Sequence, residues 1–89
     1  MSTKQILYYG EVQAVGFRYA IAHEAMHYDV KGEVQNCSDG AIRVKVTGDD
    51  DEVDDFLKAV REGRFSDNIE EEEIEDIEPL HGMAGFKVH

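Results

Sequence analysis

Residues 5–18 have the sequence QILYYGEVQAVGFR, in which an apolar, β-favouring run leads through a loop of small residues into a helical pattern. The apolar run predicts a strand over Gln5–Gly10. Main-chain N–H groups at a helix N-terminus lack intrahelical partners and carry partial positive charge, so the loop is a potential anion cradle. Arg18 falls in the first helical turn, where a cation is disfavoured by about 0.3–1 kcal/mol. An anion held between the loop and Arg18 would offset that cost, and the stretch therefore indicates a phosphate or carboxylate site.

The residues that follow predict a helix and a hairpin. From about Phe17 to Asp29 the pattern is helical, and apolar residues fall on one face at i, i+4 and i+7: Ile21, Ala25 and Tyr28. Two β-like runs, residues 30–37 and 41–46, flank the turn signal Ser38-Asp39-Gly40. The second run alternates apolar and polar residues, which is typical of a strand with one buried face.

A second helix and two more strands complete the pattern. Apolar residues at i, i+3, i+4 and i+7 define the helix: Val53, Phe56, Leu57 and Val60. Asp50 or Asp51 is expected to cap its start and Gly63 to close it in the left-handed conformation. Residues 69–78 contain an acidic edge strand, and residues 85–88 a short final strand. The order β-α-β-β-α-β with an appended strand predicts a ferredoxin-like α+β sandwich, an antiparallel sheet with two helices on one face.

Composition narrows the class of protein. Eighty-nine residues fit one domain, residues 1–89. The net charge of −11 argues against nucleic acid and anionic membranes as partners, because both require clustered Lys and Arg. No apolar run approaches the roughly 20 residues of a membrane span, and no signal-peptide pattern is present. The single cysteine, Cys37, excludes an internal disulfide and favours a cytoplasmic location.

The sequence resembles the acylphosphatase family along almost its whole length. Residues 10–18 match the family loop Gly-Arg-Val-Gln-Gly-Val-x-Phe-Arg at most positions. Further matches occur in the same order and spacing: Glu24-Ala25, Gly32-x-Val34-x-Asn36, Asp39-Gly40 and Gly85-Phe86-x-Val88. The resemblance implies hydrolysis of a carboxyl–phosphate anhydride to a carboxylate and inorganic phosphate, without a metal, another cofactor or a covalent intermediate. It implies a small-molecule acyl phosphate as the substrate, and we expect a monomer.

The resemblance also assigns roles to particular residues. Arg18 would bind phosphate oxygens together with the main-chain N–H groups of the loop residues Ala14, Val15, Gly16, Phe17 and Arg18. Asn36 would position the attacking water. An arginine presents a permanently charged fork that matches phosphate oxygens, and an amide can accept a proton from water while donating to another oxygen. Arg18 and Asn36 are therefore the predicted catalytic residues, provided that the fold brings them together.

Two departures from the family loop leave a second hypothesis open. Ala14 stands where the family has Gly, and Glu11 stands where it has a basic residue. Both changes are expected to lower activity, and the alternative is a noncatalytic module that retains the fold and an anion pocket. The string His23-Glu24-x-x-His27 has the literal spacing of a zinc motif. We interpret these histidines as solvent-facing, because the sequence offers no identifiable third ligand.

Overall fold

The computed structural model describes residues 1–13 and 16–89, and their element order confirms the predicted ferredoxin-like α+β fold. The strands and helices are β1 (Ser2–Gly10), α1 (Phe17–Ala25), β2 (Val30–Asn36), β3 (Ile42–Gly48), α2 (Asp50–Arg61), β4 (Ile69–Asp76) and β5 (Phe86–Val88). A single 3₁₀ turn, Ser66–Asn68, leads from α2 into β4. Within the described ranges, no helix combines the length and apolarity needed to cross a bilayer.

The sheet has the strand order β4-β1-β3-β2-β5. The first four of these strands pair antiparallel, as expected. The short strand β5 instead runs parallel to β2, with Val34 opposite Val88, so the complete sheet is mixed. The connection over residues 77–85 carries the chain from one edge of the sheet to the other, and this crossover sets the direction of β5. The acidic strand β4 lies at an edge, as its charge pattern predicts.

The core lies between the two helices and one face of the sheet. Alternate residues of the central strands are buried, among them Ile6, Tyr8, Ile42, Val44, Val46 and Val34. The helices contribute the residues that their periodicity predicts: Ile21 and Ala25 from α1, and Val53, Phe56, Leu57 and Val60 from α2. Tyr28 is half-buried and packs on the ring of Phe56, with 6.1 Å between the ring centroids. Both helices therefore cover the same face of the sheet.

Several predicted boundaries are wrong. The first helix ends at Ala25 rather than near Asp29, because the next three amides bond to carbonyls only three residues back. The N-cap of α2 is Asp49, in extended backbone, and neither Asp50 nor Asp51. Gly63 does not adopt the left-handed conformation, since α2 already ends with Glu62 as its C-cap. Helix ends depend on where the chain must go next, which the periodicity of the helix does not encode.

Candidate active site

One row of residues crosses the sheet at the end from which the loop of residues 11–16 departs. Tyr8 of β1 is opposite Ile42 of β3, and Ile42 is opposite Asn36 of β2. Strand β1 continues only two residues beyond Tyr8 before it enters the loop. Asn36 is the last residue of β2, so it lies at the same end of the sheet as the loop. The register thus agrees with one part of the prediction, that Asn36 lies at the loop end of the sheet.

Asn36 also lies on the helix-covered face of the sheet. Side chains of a strand alternate between faces, and Asn36 is two residues after Val34, which is fully buried in the core beneath the helices. Asn36 itself is exposed. Among the described residues, its side chain takes part in none of the hydrogen bonds found. An exposed carboxamide at the rim of the core can bind water and a ligand oxygen.

Arg18 is held close to this strand end by the last residues of the chain. It is the second residue of α1 and is half-buried. Its Nη1 donates to the main-chain oxygen of His89. The amide of His89 in turn donates to the carbonyl oxygen of Val34 over 2.9 Å. A chain of two hydrogen bonds therefore connects the guanidinium of Arg18 to β2, two residues before Asn36.

Gln13 fastens the loop to the hairpin next to Asn36. Its Nε2 donates to the carbonyl oxygens of Cys37 and Ala41, over 2.8 and 2.9 Å. The amide of Cys37 bonds to the same Ala41 oxygen over 2.8 Å, so the amide of Gln13 completes the end of the hairpin. The sequence alone predicts no such role for Gln13. The available signal was that Gln13 is the one uncharged polar residue among residues 11–16.

The other side of the loop is fastened to the segment before β4. The amide of Glu11 donates to the carbonyl oxygen of Asn68 over 3.1 Å, and Nδ2 of Asn68 donates to the carbonyl oxygen of Glu11 over 3.0 Å. The Glu11 residue is exposed. The first part of the loop, residues 11–13, is thus braced on both sides, by Gln13 toward β2 and by Glu11 toward β4. Rigid support of this kind is what a preorganised anion site requires.

Gly16 starts the helix that points into the site. It is the N-cap of α1, with φ 81° and ψ 17°, a left-handed conformation that explains the glycine. No side chain caps α1, so its first amides, including those of Phe17 and Arg18, are free of a capping side chain. Of the predicted phosphate-binding residues, Gly16, Phe17 and Arg18 therefore lie together at this helix start. Ala14 and Val15 lie outside the described residues.

The histidine motif is divided between α1, which carries His23, and the turn after it, which carries His27. His23 and His27 are exposed and their ring centroids are 5.6 Å apart. Across residues 1–13 and 16–89, no group of three or more His, Cys, Asp or Glu side chains is placed to hold a metal ion. The interpretation of these histidines as solvent-facing agrees with their exposure.

Comparisons with known proteins agree with the loop and the fold. The family model described as Acylphosphatase matches residues 4–88. The chain is 37% identical over 79 residues to an acylphosphatase of Bacillus pumilus, covering 89% of this chain and 88% of that protein. It is 34% identical to an acylphosphatase of Staphylococcus haemolyticus, covering 98% of each. The crystal structure of acylphosphatase from Bacillus subtilis superimposes with a TM-score of 0.90 at 28% identity, over 100% of this chain and 99% of that one.

The fold is ferredoxin-like, and the loop with its contacts forms a candidate site at one end of the sheet. The chain belongs to the acylphosphatase family. Its function is that of an acylphosphatase-type hydrolase, which cleaves the carboxyl–phosphate anhydride of small acyl phosphates and releases phosphate. Of the two hypotheses left open by the sequence, family membership supports the hydrolase.

Proposed function

We propose that Arg18 and Asn36 carry out this hydrolysis, with Arg18 binding the phosphate and Asn36 positioning the water. The phosphate would lie at the start of α1, against the main-chain amides of residues 14–18 and the guanidinium of Arg18. A helix N-terminus and a guanidinium both favour a bound anion. Asn36 would then lie beside this phosphate, at the end of the neighbouring strand.

The reaction needs little more than position and charge. The oxygen of the held water forms a bond to phosphorus, and the bond from phosphorus to the acyl oxygen breaks. The acyl group leaves as a carboxylate with the bonding electron pair, and the proton of the water passes to phosphate or solvent. Charge on the phosphoryl oxygens is stabilised by Arg18 and the loop amides. Because a carboxylate is a good leaving group, the water needs orientation by Asn36 rather than a strong base.

The observation that supports this proposal most strongly is the hydrogen-bond chain from Arg18 through His89 to Val34. It brings the guanidinium within two residues of Asn36 along β2. Gln13 independently ties the loop to the turn of the hairpin that carries Asn36. One set of contacts thus ties Arg18 to β2, and the other ties the loop to the residues that follow Asn36, which supports a shared site for two residues that are distant along the chain.

The test is release of phosphate from acetyl phosphate by matched variants. Asn36→Ala should lower kcat by about 100-fold or more with little change in KM, because positioning of the water is lost. Arg18→Ala should lower kcat and raise KM, because phosphate binding is lost as well. Ser38→Ala, an exposed change two residues beyond Asn36, serves as the control. Undiminished turnover by Asn36→Ala would remove the role assigned to it.

Two further measurements extend this experiment. The rate should stay nearly flat between pH 6 and 8, because neither a guanidinium nor a carboxamide changes charge there. Ala14→Gly restores the family residue and should raise kcat/KM. A bell-shaped profile centred near pH 7 would instead indicate a titrating catalytic group.

We also propose that residues 1–89 act as one domain and as a monomer in the cytoplasm, without nucleic acid as a partner. A single core cluster that joins both helices to the sheet supports the assignment of one domain. The net charge of −11 supports the exclusion of nucleic acid. Light scattering coupled to gel filtration tests the monomer, and a mass near 20 kDa, twice the chain mass of 10.1 kDa, would contradict it.

A further inference from the structure

The face of the sheet that the helices leave uncovered has its charges sorted by strand. Ile6, Tyr8 and Val44 point into the core, so the residues that alternate with them point to the uncovered face. At the β4 edge these residues are acidic: Glu71, Glu73 and Glu75. On β1 they carry no charge: Thr3, Gln5, Leu7 and Tyr9. On β3, β2 and β5 four of them are basic, and we call these four the basic sheet face: Arg43, Lys45, Lys31 and Lys87.

The basic sheet face holds four of the nine Lys and Arg residues of a chain that has 20 Asp and Glu residues. Within the described part of the chain, none of the four takes part in an ion pair. Glu33 is the one acidic residue in β2, β3 and β5, and its neighbours in register are Lys45 and Lys87. Its Oε2 pairs with Nε2 of His89, over 3.8 Å, and with neither lysine. Four cations against one carboxylate leave this surface positive in a strongly acidic protein.

The strand register explains why these cations are unpaired. Apart from Glu33, their cross-strand neighbours are uncharged: Leu7 and Gln35 for Arg43, Gln5 for Lys45, and Thr47 for Lys31. Lys31 and Lys87 are exposed, whereas Arg43 and Lys45 are half-buried on the central strand β3. Because the sheet offers them so few carboxylates, their charge is available to a ligand that approaches the face from solvent.

The spacing of the cations matches an extended polypeptide. Arg43 and Lys45 are two residues apart on β3, which places them roughly 6.8 Å apart on the same face. Alternate side chains of an extended segment repeat at the same interval. A carboxylate at every second position of such a segment would therefore meet successive cations and accept charge-assisted hydrogen bonds. The carboxylates of β4 would repel the segment and confine it to the side of the face formed by β3, β2 and β5.

A nucleic acid fits this face less well than an acidic polypeptide. Single strands bind to proteins largely through aromatic side chains on which their bases stack, and β2 and β3 contain no aromatic residue. Tyr9 is on the same face but on β1, and its hydroxyl donates to Oε1 of Glu73 over 3.3 Å. A phosphate backbone stacked there would lie against the carboxylates of β4.

We propose that the basic sheet face docks an acidic segment of a partner protein, an extended stretch with Asp or Glu at every second position. This surface is separate from the hydrolytic site, because Asn36 lies on the helix-covered face of the sheet. At about 0.1 M salt the Debye length is roughly 10 Å, so the repulsion from distant carboxylates is reduced while direct contacts persist. At about 1 M salt the length is roughly 3 Å, and binding should be lost.

The probe is a synthetic peptide of alternating Glu and Ser, about ten residues long and so roughly 33 Å when extended. It is added to isotopically labelled protein at about 0.1 M salt, and amide shifts are followed by NMR. The shifts should map to residues 31–35, 43–47 and Lys87, and they should disappear at high salt. A peptide with Gln in place of Glu is the uncharged control and should produce no shifts.

Matched variants test whether the position of the charges matters. Arg43→Gln/Lys45→Gln should weaken binding of the peptide about fivefold, because two exposed ion pairs are lost. Lys58→Gln/Arg64→Gln changes the net charge equally, and both residues are exposed, on α2 and just after it. This control should bind the peptide like the native protein. Circular dichroism checks that both variants are folded.

Several outcomes would overturn the proposal. Equal weakening in the two double variants would mean that the peptide responds to net charge alone. Absence of shifts on β2 and β3 in the native protein would contradict the surface without any variant. Tighter binding of a thymidine oligonucleotide of the same length would identify a nucleic acid as the occupant. A dimer in light scattering that Arg43→Gln/Lys45→Gln abolishes would identify a second copy of the chain. None of these results bears on Arg18 and Asn36, which release of phosphate from acetyl phosphate tests separately.

Discussion

A methyl group added at Gly10 should destabilise the fold through both backbone strain and steric clash. It is the last residue of β1, pairs with Ile69 and has φ +126°, outside the range that side chains readily adopt. A Cβ at this position would lie 2.2 Å from the carbonyl oxygen of Asn68 and 2.9 Å from the amide nitrogen of Glu70. The Asn68 oxygen also accepts the amide of Glu11, so it cannot move without breaking that bond. The methyl group of Gly10→Ala therefore clashes with main-chain atoms that hydrogen bonds hold in place.

Two costs add in this variant. A backbone conformation reserved for glycine costs about 1–3 kcal/mol, and a methyl forced into a filled space costs a further ~1–3 kcal/mol. The sum is about 4 kcal/mol, whereas a chain of this length has a total stability of roughly 4–13 kcal/mol. With a urea m-value of about 1.3 kcal/mol/M, the unfolding midpoint should fall by about 3 M.

Gly16→Ala provides the matched control. Gly16 also has a positive φ, of +81°, but a Cβ there would meet nothing within 4 Å. Only the backbone cost applies, about 1 kcal/mol. Equilibrium urea unfolding at pH 7, followed by far-ultraviolet circular dichroism, measures both variants. A Gly10→Ala protein already unfolded without urea agrees with the upper end of the range. A loss no greater than that of Gly16→Ala would refute the steric argument.

Two further predictions concern the brace of the loop and a buried phenol. Gln13→Ala removes two hydrogen bonds and should cost about 2 kcal/mol in urea unfolding and lower kcat/KM about tenfold. Gln35→Ala, on the opposite face of the sheet, is its control, and equal effects in the two variants would contradict the brace. Burial, together with the nearby Glu72 carboxylate, raises the pKa of Tyr8 far above its usual range. The unfolded chain ionises near pH 10 while folded Tyr8 stays neutral, so its contribution to stability is complete below pH 10 and decreases above it. Between pH 10 and 11 the unfolding free energy should fall by up to about 1.4 kcal/mol more than in Tyr8→Phe, and parallel curves would show that Tyr8 is not responsible.

The faces of the helices and strands could be predicted because their cause is local. Val53, Phe56 and Val60 fall on one side of any helix with 3.6 residues per turn, and all are buried. Ile42 and Val44 alternate with polar residues, and both lie in the core. These patterns do not depend on how the rest of the chain folds. The start of β1 at Ser2 could not be predicted in this way, because it depends on pairing with Gly48 of β3.

In the candidate site, too, some features follow from the local sequence and others depend on the fold. The place of Arg18 in the first turn of α1 follows from the sequence immediately before it. Its contact with His89 spans 71 residues, and the two contacts of Gln13 span 24 and 28. These depend on the strand order and on the parallel pairing of β5, which no periodicity in β1 or α1 specifies. The sequence could therefore identify Arg18 and Asn36 as a hypothesis, whereas the contacts of Arg18 with His89 and of Gln13 with the hairpin required the fold.

The distribution of charge explains how a protein of net charge −11 can bind an anionic substrate. The first turn of α2 is acidic, and it follows Gly48, at the end of β3 away from Asn36. Strand β3 spans six residue steps between Ile42 and Gly48, or roughly 20 Å. The Debye length in 0.15 M salt is about 8 Å, so screening reduces the potential of those carboxylates at the site by about tenfold. The acidic strand β4 is three strand spacings, or about 14 Å, from β2, but its first residues pair with the end of β1 beside the loop, and Glu70 adjoins Gly10. Close to the cradle the fixed charges include Arg18 and the positive end of α1 together with the opposing carboxylates of Glu11 and Glu70, so the local potential depends on the balance of these groups rather than on the net charge.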